Sequence, residues 1–306
     1  MAKRKPLRPR DGAAAAKSRH RPAPARAGRT DGAGGTGGGR QGQALWLYGA
    51  HAVLAACANP ERRLHRLLAT AEAAQRHAAA LAAIPGHPHP DRQHADRQHP
   101  DRPSPEIVAR EEIERLLPPG AVHQGLAALA APLPDRDLDE ILRARERPEN
   151  VEQPAKRVVL VVLDRVTDPQ NVGAVLRSAA AFGAAAVIVP RHHAAPESGA
   201  LAKAASGALE HVPYVVAGNL ARTLIRLKQA GFWILGLAGE ATEDLAATDP
   251  GGPLVLVLGA EGAGLRRLTR ETCDLLARLP TAGPVASLNV SNAAAIALYE
   301  VLRRRA

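Results

Sequence analysis

Aromatic side chains are almost missing from this chain, with two Phe, two Trp and three Tyr among 306 residues, so its core must be built from aliphatic groups. Cysteine is scarce as well. Cys57 and Cys273 stand far apart and form no C-x-x-C, which excludes a disulfide framework and a zinc ribbon and suits a reducing cytoplasm. No run of eighteen apolar residues occurs, and no apolar segment follows the basic N-terminus, so neither a membrane helix nor a secretory signal is expected. With 46% hydrophobic residues, a chain of this length can bury a sizeable core in about two domains plus tails.

Charge is unevenly placed. Residues 1 to 40 carry eleven Lys or Arg against Asp11 and Asp31, which is +9 of the chain's net +10. The same stretch is rich in Ala, Pro and Gly, lacks apolar periodicity and is expected to be disordered. A basic arm of this kind either adds sequence-independent attraction to phosphate backbones or merely solubilises the protein.

Order is expected from Leu45. LWLYGAHAVLAACANPERRLHRLLAT reads as an apolar strand, a helix through Val53, Leu54 and Cys57, a turn at Asn59-Pro60 and a second strand over Leu64 to Leu68. Residues 85 to 105 repeat DRQH among prolines, which predicts an exposed loop. His77, His87, His89, His94 and His99 fall in or near it, but no Cys and no helical i,i+4 scaffold supports them, and no metal site is expected. Ser104-Pro105 is a helix start signal, with the helix ending before Pro118. GAVHQG at 120 to 125 then leads into a strand over Leu126 to Ala130. Residues 132 to 156 read as a Pro- and charge-rich connector around one short helical pattern, Leu138 to Arg145.

From Arg157 the pattern alternates. Apolar strands are predicted at 157 to 163, 185 to 189, 212 to 216, 232 to 237, 254 to 258 and 276 to 279, with helices between most of them. That arrangement implies a mostly parallel sheet covered on both faces. It is not an ordinary dinucleotide-binding domain, because no G-x-G-x-x-G follows the first strand. GAEGAG near the chain's C-terminal end also lacks the Lys-Ser/Thr pair of a phosphate-binding loop.

Three segments run strand into polar loop into helix: LDRVTDPQNVGAVLRSAAAFGAAAVIVP (163 to 190), LVLVLGAEGAGLRRLTRE (254 to 271) and LARLPTAGPVASLNVSNAAAIALYEVLRRR (276 to 305). In order and spacing they resemble the three motifs of the SpoU/TrmH family of RNA ribose 2′-O-methyltransferases. LYGAHAV (47 to 53) and GAVHQG are similar to the N-terminal substrate-binding domain of members that methylate a guanosine of 23S rRNA, and the resemblance covers about residues 45 to 305.

The resemblance implies an α/β fold: a SPOUT-type parallel-sheet methyltransferase domain with a C-terminal trefoil knot, preceded by a small α/β RNA substrate-binding domain and the basic tail. The expected boundaries are 1–44 for the tail, 45–131 for the small domain, 132–156 for the linker and 157–306 for the methyltransferase domain. S-adenosylmethionine is the implied cofactor, held at Gly259, Leu279 and Leu288, with no metal. Gly259 ends an apolar strand where the absence of Cβ lets backbone approach a ligand, the leucines supply apolar walls, and the loop from Pro280 to Ala286 offers N–H groups.

Deprotonating and orienting a ribose hydroxyl requires polar groups, and by resemblance these are Asn171, Arg177, Glu261, Ser287 and Asn289. An arginine rarely gives up its proton, so Arg177 is expected to orient phosphate or hydroxyl, and Glu261 to hold Arg177 or hydrogen-bond the ribose. For Asn171 and Ser287 the competing role is helix capping. Asn292 departs from the apolar residue usual at its position. The implied substrate is a guanosine in the peptidyl-transferase loop of 23S rRNA. The alternatives are a tRNA or another rRNA position and, from another class, a non-catalytic RNA-binding protein. The implied assembly is a cytoplasmic homodimer.

Overall fold

The computed structural model describes residues 43–84, 102–145, 157–284 and 287–303. The expected basic tail up to residue 42, the DRQH loop over 85–101 and residues 146–156 of the connector lie outside them.

The N-terminal part builds a four-stranded sheet in the order β1-β4-β2-β3. β1 (Leu45–Tyr48) and β2 (Leu64–Ala69) flank β4 (Leu126–Ala130) antiparallel, and α1 (Ala50–Ala58) links the first two strands. Two short helices, α2 (Ala71–Arg76) and α3 (Ala78–Ala82), follow β2. The helix expected from Ser104-Pro105 starts later. Glu106–Ile107 instead pairs parallel with β2 as a two-residue strand, β3, and helix α4 begins at Arg110 and ends at Leu116. The free edge of β2 offers backbone partners to these residues, so the helix starts beyond them. Tyr48, Leu68 and Ala127 on one face of the sheet close a small core against Ile113 and Leu117.

GAVHQG has a structural task. Its Gln124, held at φ 56°, accepts from Ala50 N (3.1 Å) and from Lys203 Nζ (2.7 Å), while His123 Nδ1 accepts from Gly125 N (3.1 Å). A second tie is buried. Arg62 is fully enclosed, and its guanidinium donates to both oxygens of Glu210, to Glu197 and to the carbonyl of Ala131. Asn59 also donates to Glu210 (2.8 Å), and Glu197 accepts from Leu133 N (3.0 Å). Residues from the turn between α1 and β2, the segment after β4 and the methyltransferase half thus meet in one ion network.

The connector contains α5 (Leu138–Arg145), as the sequence pattern predicts. Beyond it lies a six-stranded, fully parallel sheet in the order β10-β8-β9-β5-β6-β7. Its strands are β5 (Val159–Asp164), β6 (Ala186–Pro190), β7 (Tyr214–Ala217), β8 (Trp233–Leu237), β9 (Leu254–Gly259) and β10 (Leu275–Ala277). Each falls within two residues of its expected span. Helices α6 (Pro169–Phe182), α7 (Gly199–Ala205), α8 (Leu220–Gln229), α9 (Arg267–Thr272) and α10 (Val290–Arg303) complete the half.

The alternation of β5 shows why both faces need cover. Val159, Val161 and Leu163 point into the main core with Val172, Val175 and Leu176 of α6 and Leu298 of α10, while Leu160 and Val162 point into a second core with Leu224 and Leu227 of α8. Each such side chain contributes roughly 1.5–3 kcal/mol by leaving water. Gly173 lets α6 touch α7, because a Cβ there would lie 2.7 Å from Leu201 O. Both thiols are spectators: burial pushes Cys57 and Cys273 up to about 12, far from thiolate chemistry.

Candidate active site

Strand order reverses between β5 and β9, since β6 and β7 follow on one side and β8 and β10 lie on the other. At such a switch point the loops leaving neighbouring strands diverge and open a crevice at their carboxyl ends. The candidate residues gather there.

Asp168 caps α6, accepting from Gln170 N and Asn171 N (both 3.2 Å), with Pro169 in the first turn. The capping role considered for Asn171 therefore belongs to Asp168. The side chain of Asn171 is released to reach across the crevice. From the last motif, Asn289 Nδ2 donates to Asn171 Oδ1 (2.9 Å) and to Glu261 Oε1 (2.7 Å). Asn171 Nδ2 (3.4 Å) and Val290 N (3.4 Å) approach the same Glu261 oxygen. Asn289 also caps α10, its Oδ1 accepting from Ser291 N (2.9 Å) and Ser291 Oγ (2.6 Å). Three motifs, 118 residues apart at their extremes, meet on one carboxylate.

The arrangement polarises Glu261. Oε1 is surrounded by donors, while Oε2, on an exposed side chain, has no hydrogen-bond partner among the described residues. A carboxylate held by one oxygen presents the other in a fixed direction as an acceptor.

The loop carrying Glu261 is itself tightly closed. Gly264 N donates to Ala260 O and Ala263 N to Glu261 O (both 2.8 Å). A Cβ on Gly259 would sit 2.1 Å from the carbonyl carbon of Gly264 and 2.4 Å from Leu265 N. Glycine at 259 is thus required by the loop folding back on its own strand, and the space beside it is filled by protein backbone. Asp164, which no sequence motif singled out, fastens the far limb of that loop. Fully buried at the end of β5, it accepts from Arg266 N (3.0 Å) and Arg266 Nε (2.6 Å).

Two candidates stand apart. Arg177 lies six residues beyond Asn171, which turns its side chain about 120° away around α6; it is exposed and makes no hydrogen bond or ion pair with another described residue. It is therefore not the partner of Glu261 within one chain. Ser287 is exposed, two residues before the cap of α10, and caps nothing among the described residues. Of the apolar positions, Leu279 packs half-buried on the edge of the main core, whereas Leu288 is 39% exposed beside the same loop.

Residues 158–299 match the SpoU rRNA Methylase family. Over 189 residues the chain is 49% identical to the 23S rRNA (guanosine-2′-O-)-methyltransferase RlmB of Vibrio parahaemolyticus, covering 61% of this chain and 72% of that protein. Over 187 residues it is 51% identical to the protein of the same name from Pseudomonas aeruginosa, covering 60% and 72%. The fold is also that of the SpoU methyltransferase AviRb from Streptomyces viridochromogenes, solved in complex with AdoMet, with a TM-score of 0.64 and 24% identity over 86% of this chain and 91% of that one. With its three motifs converging on Glu261 at the switch point of a parallel sheet, the chain belongs to the SpoU rRNA methylase family.

Proposed function

We infer that the chain methylates the ribose 2′-hydroxyl of a guanosine in 23S rRNA with S-adenosylmethionine as donor. The observation that carries this reading is the joining of Asn171, Glu261 and Asn289 through Glu261 Oε1, which leaves Oε2 open. Relatives at about half identity bear that activity in their names.

The cofactor, when bound, supplies a methyl group already activated on sulfonium. Leu279 and Leu288 would hold its apolar part, with backbone amides of the intervening loop and the tight turn after Gly259 closing round it. The protein's own work is to place and deprotonate a weak nucleophile. Glu261 Oε2 accepts the hydrogen bond of the ribose hydroxyl, Asn171 and Asn289 keep that carboxylate from turning, and Arg177 orients a substrate phosphate as a guanidinium. Ser287 borders the same opening. Purified chain incubated with labelled S-adenosylmethionine and a 23S rRNA transcript is expected to yield 2′-O-methylguanosine on nucleoside digestion. Label in tRNA and none in 23S rRNA would replace this substrate with the tRNA alternative.

Residues 45–131 serve as an RNA-binding module ahead of the methyltransferase domain, and the GAVHQG turn and the Arg62 network support a fixed orientation between them. The C-terminal segment is knotted. In support, α10 leaves edge strand β10 and returns past β8 and β9 to pack on α6. The working form is a cytoplasmic homodimer. Ile296 and Tyr299 of α10 lie exposed one turn apart, with Phe182 of α6 against Tyr299 at 6.2 Å between ring centroids, an apolar stripe suited to a second copy. Asn292, the unusual residue, lies exposed on that same stripe. No helix among the described residues is long and apolar enough to cross a membrane.

The basic tail adds electrostatic affinity for the RNA backbone. Deleting residues 1–40 is expected to weaken RNA binding and to flatten its dependence on salt, because fewer counterions are released. An unchanged salt dependence in filter-binding or anisotropy titrations would reduce the tail to a solubiliser.

A further inference from the structure

Asp164 consumes only part of Arg266. Both carboxylate oxygens are taken by the arginine's backbone N–H and Nε, yet its two terminal nitrogens hydrogen-bond no other described residue and the side chain is 42% exposed. One edge of the guanidinium is fixed by a buried carboxylate. The other edge is presented ready for a ligand, with its conformational entropy already lost on folding.

Arg266 presents that edge at a cavity of about 440 Å³. The cavity opens where β6 and β7 end, lined by Pro190, His192, Asn219, Arg266, Arg267 and Leu268 among others, and no Asp or Glu lines it. Arg267 is paired with Glu271 one turn on, but both are exposed, a weak and exchangeable contact. Because every strand of the sheet is parallel, this cavity and the Glu261 cluster lie along the same edge. From the β5–β9 crevice to the β6–β7 ends is two strand spacings, about 10 Å, within reach of the nucleotide adjoining one bound in the crevice. A planar guanidinium fork matches a phosphodiester, and Pro190 with the 57% exposed Leu268 offers an apolar wall to a neighbouring base.

Resting on the methyltransferase reading above, we propose that this cavity is an RNA subsite in which Arg266, braced by Asp164 and assisted by Arg267, binds the phosphate of a nucleotide flanking the methylated ribose. The test uses the full chain, saturating S-adenosylmethionine and a 23S rRNA hairpin that the parent methylates. Arg266→Gln is expected to weaken hairpin binding about tenfold and to lower the slope of log affinity against log salt by about one, with S-adenosylmethionine affinity changed by much less than RNA affinity. Arg267→Gln, at an exposed position that leaves the Asp164 contact intact, is expected to lower the slope as well. Asp164→Asn should weaken RNA binding by freeing Arg266, with melting temperature recorded to exclude misfolding. Unaltered RNA affinity and slope in both arginine variants would overturn the subsite. So would a loss of S-adenosylmethionine affinity in its place, which would assign Arg266 to the cofactor. Failure of the parent to methylate the hairpin would count against the methyltransferase reading itself, a result separable from either.

Discussion

Glu261→Gln is expected to lower the methyl-transfer rate at saturating RNA by about 100-fold or more, the scale on which a positioned acid or base acts. The reasoning follows from the two oxygens. Oε1 faces Asn171 Nδ2, Asn289 Nδ2 and Val290 N, three donors that the amide oxygen of glutamine must satisfy. The amide nitrogen is thereby forced into the place of Oε2, turning the group that accepts a ribose hydroxyl proton into a donor. Shape, turn and caps are preserved, so S-adenosylmethionine affinity and melting temperature should stay at parental values. A rate equal to the parent's would remove Glu261 from the reaction and leave it as a loop brace.

Arg62→Ala carries the largest expected stability effect. Glu210 is 98% shielded from solvent, and truncating Arg62 leaves it with Asn59 as its remaining side-chain partner. Removing one member of a buried ion pair costs about 3–5 kcal/mol, chiefly because the abandoned charge stays desolvated. Urea unfolding of the variant should show an unfolding free energy lower by that amount, seen as an earlier midpoint at unchanged slope, if the chain unfolds in one step. A separate, earlier transition for the N-terminal sheet would show that the network joins two independently stable parts. A shift below about 1 kcal/mol, the scale of a surface ion pair, would show that the pair is not buried in solution.

The parallel sheet was legible because buried strands write themselves as unbroken apolar runs: VLVVLD, AVIVP and LVLVLG each lie within a residue or two of their observed strands. The three polar loops bring Asn171, Glu261 and Asn289 together, the residues that the family resemblance singles out. What escaped was set by partners distant in sequence. Asp164 carries no local signal, and only the fold brings Arg266, 102 residues on, to its carboxylate. The Asp168-Pro169 pair was a readable cap signal, and it would have freed Asn171 for the site in advance. The glycine at 259 also makes room for the backbone of Gly264, a contact no local pattern reveals. Glu106–Ile107 became a strand because an open sheet edge outweighed a proline start signal.

Three motifs converge on one carboxylate to methylate a ribose of 23S rRNA. Mapping 2′-O-methylguanosine in 23S rRNA from a strain lacking the gene, and from the same strain complemented with parent or Glu261→Gln chain, tests it most directly. One guanosine is expected to lose its methyl group on deletion, to regain it with the parent and to stay unmodified with Glu261→Gln. A 23S rRNA methylation pattern unchanged by the deletion would contradict it.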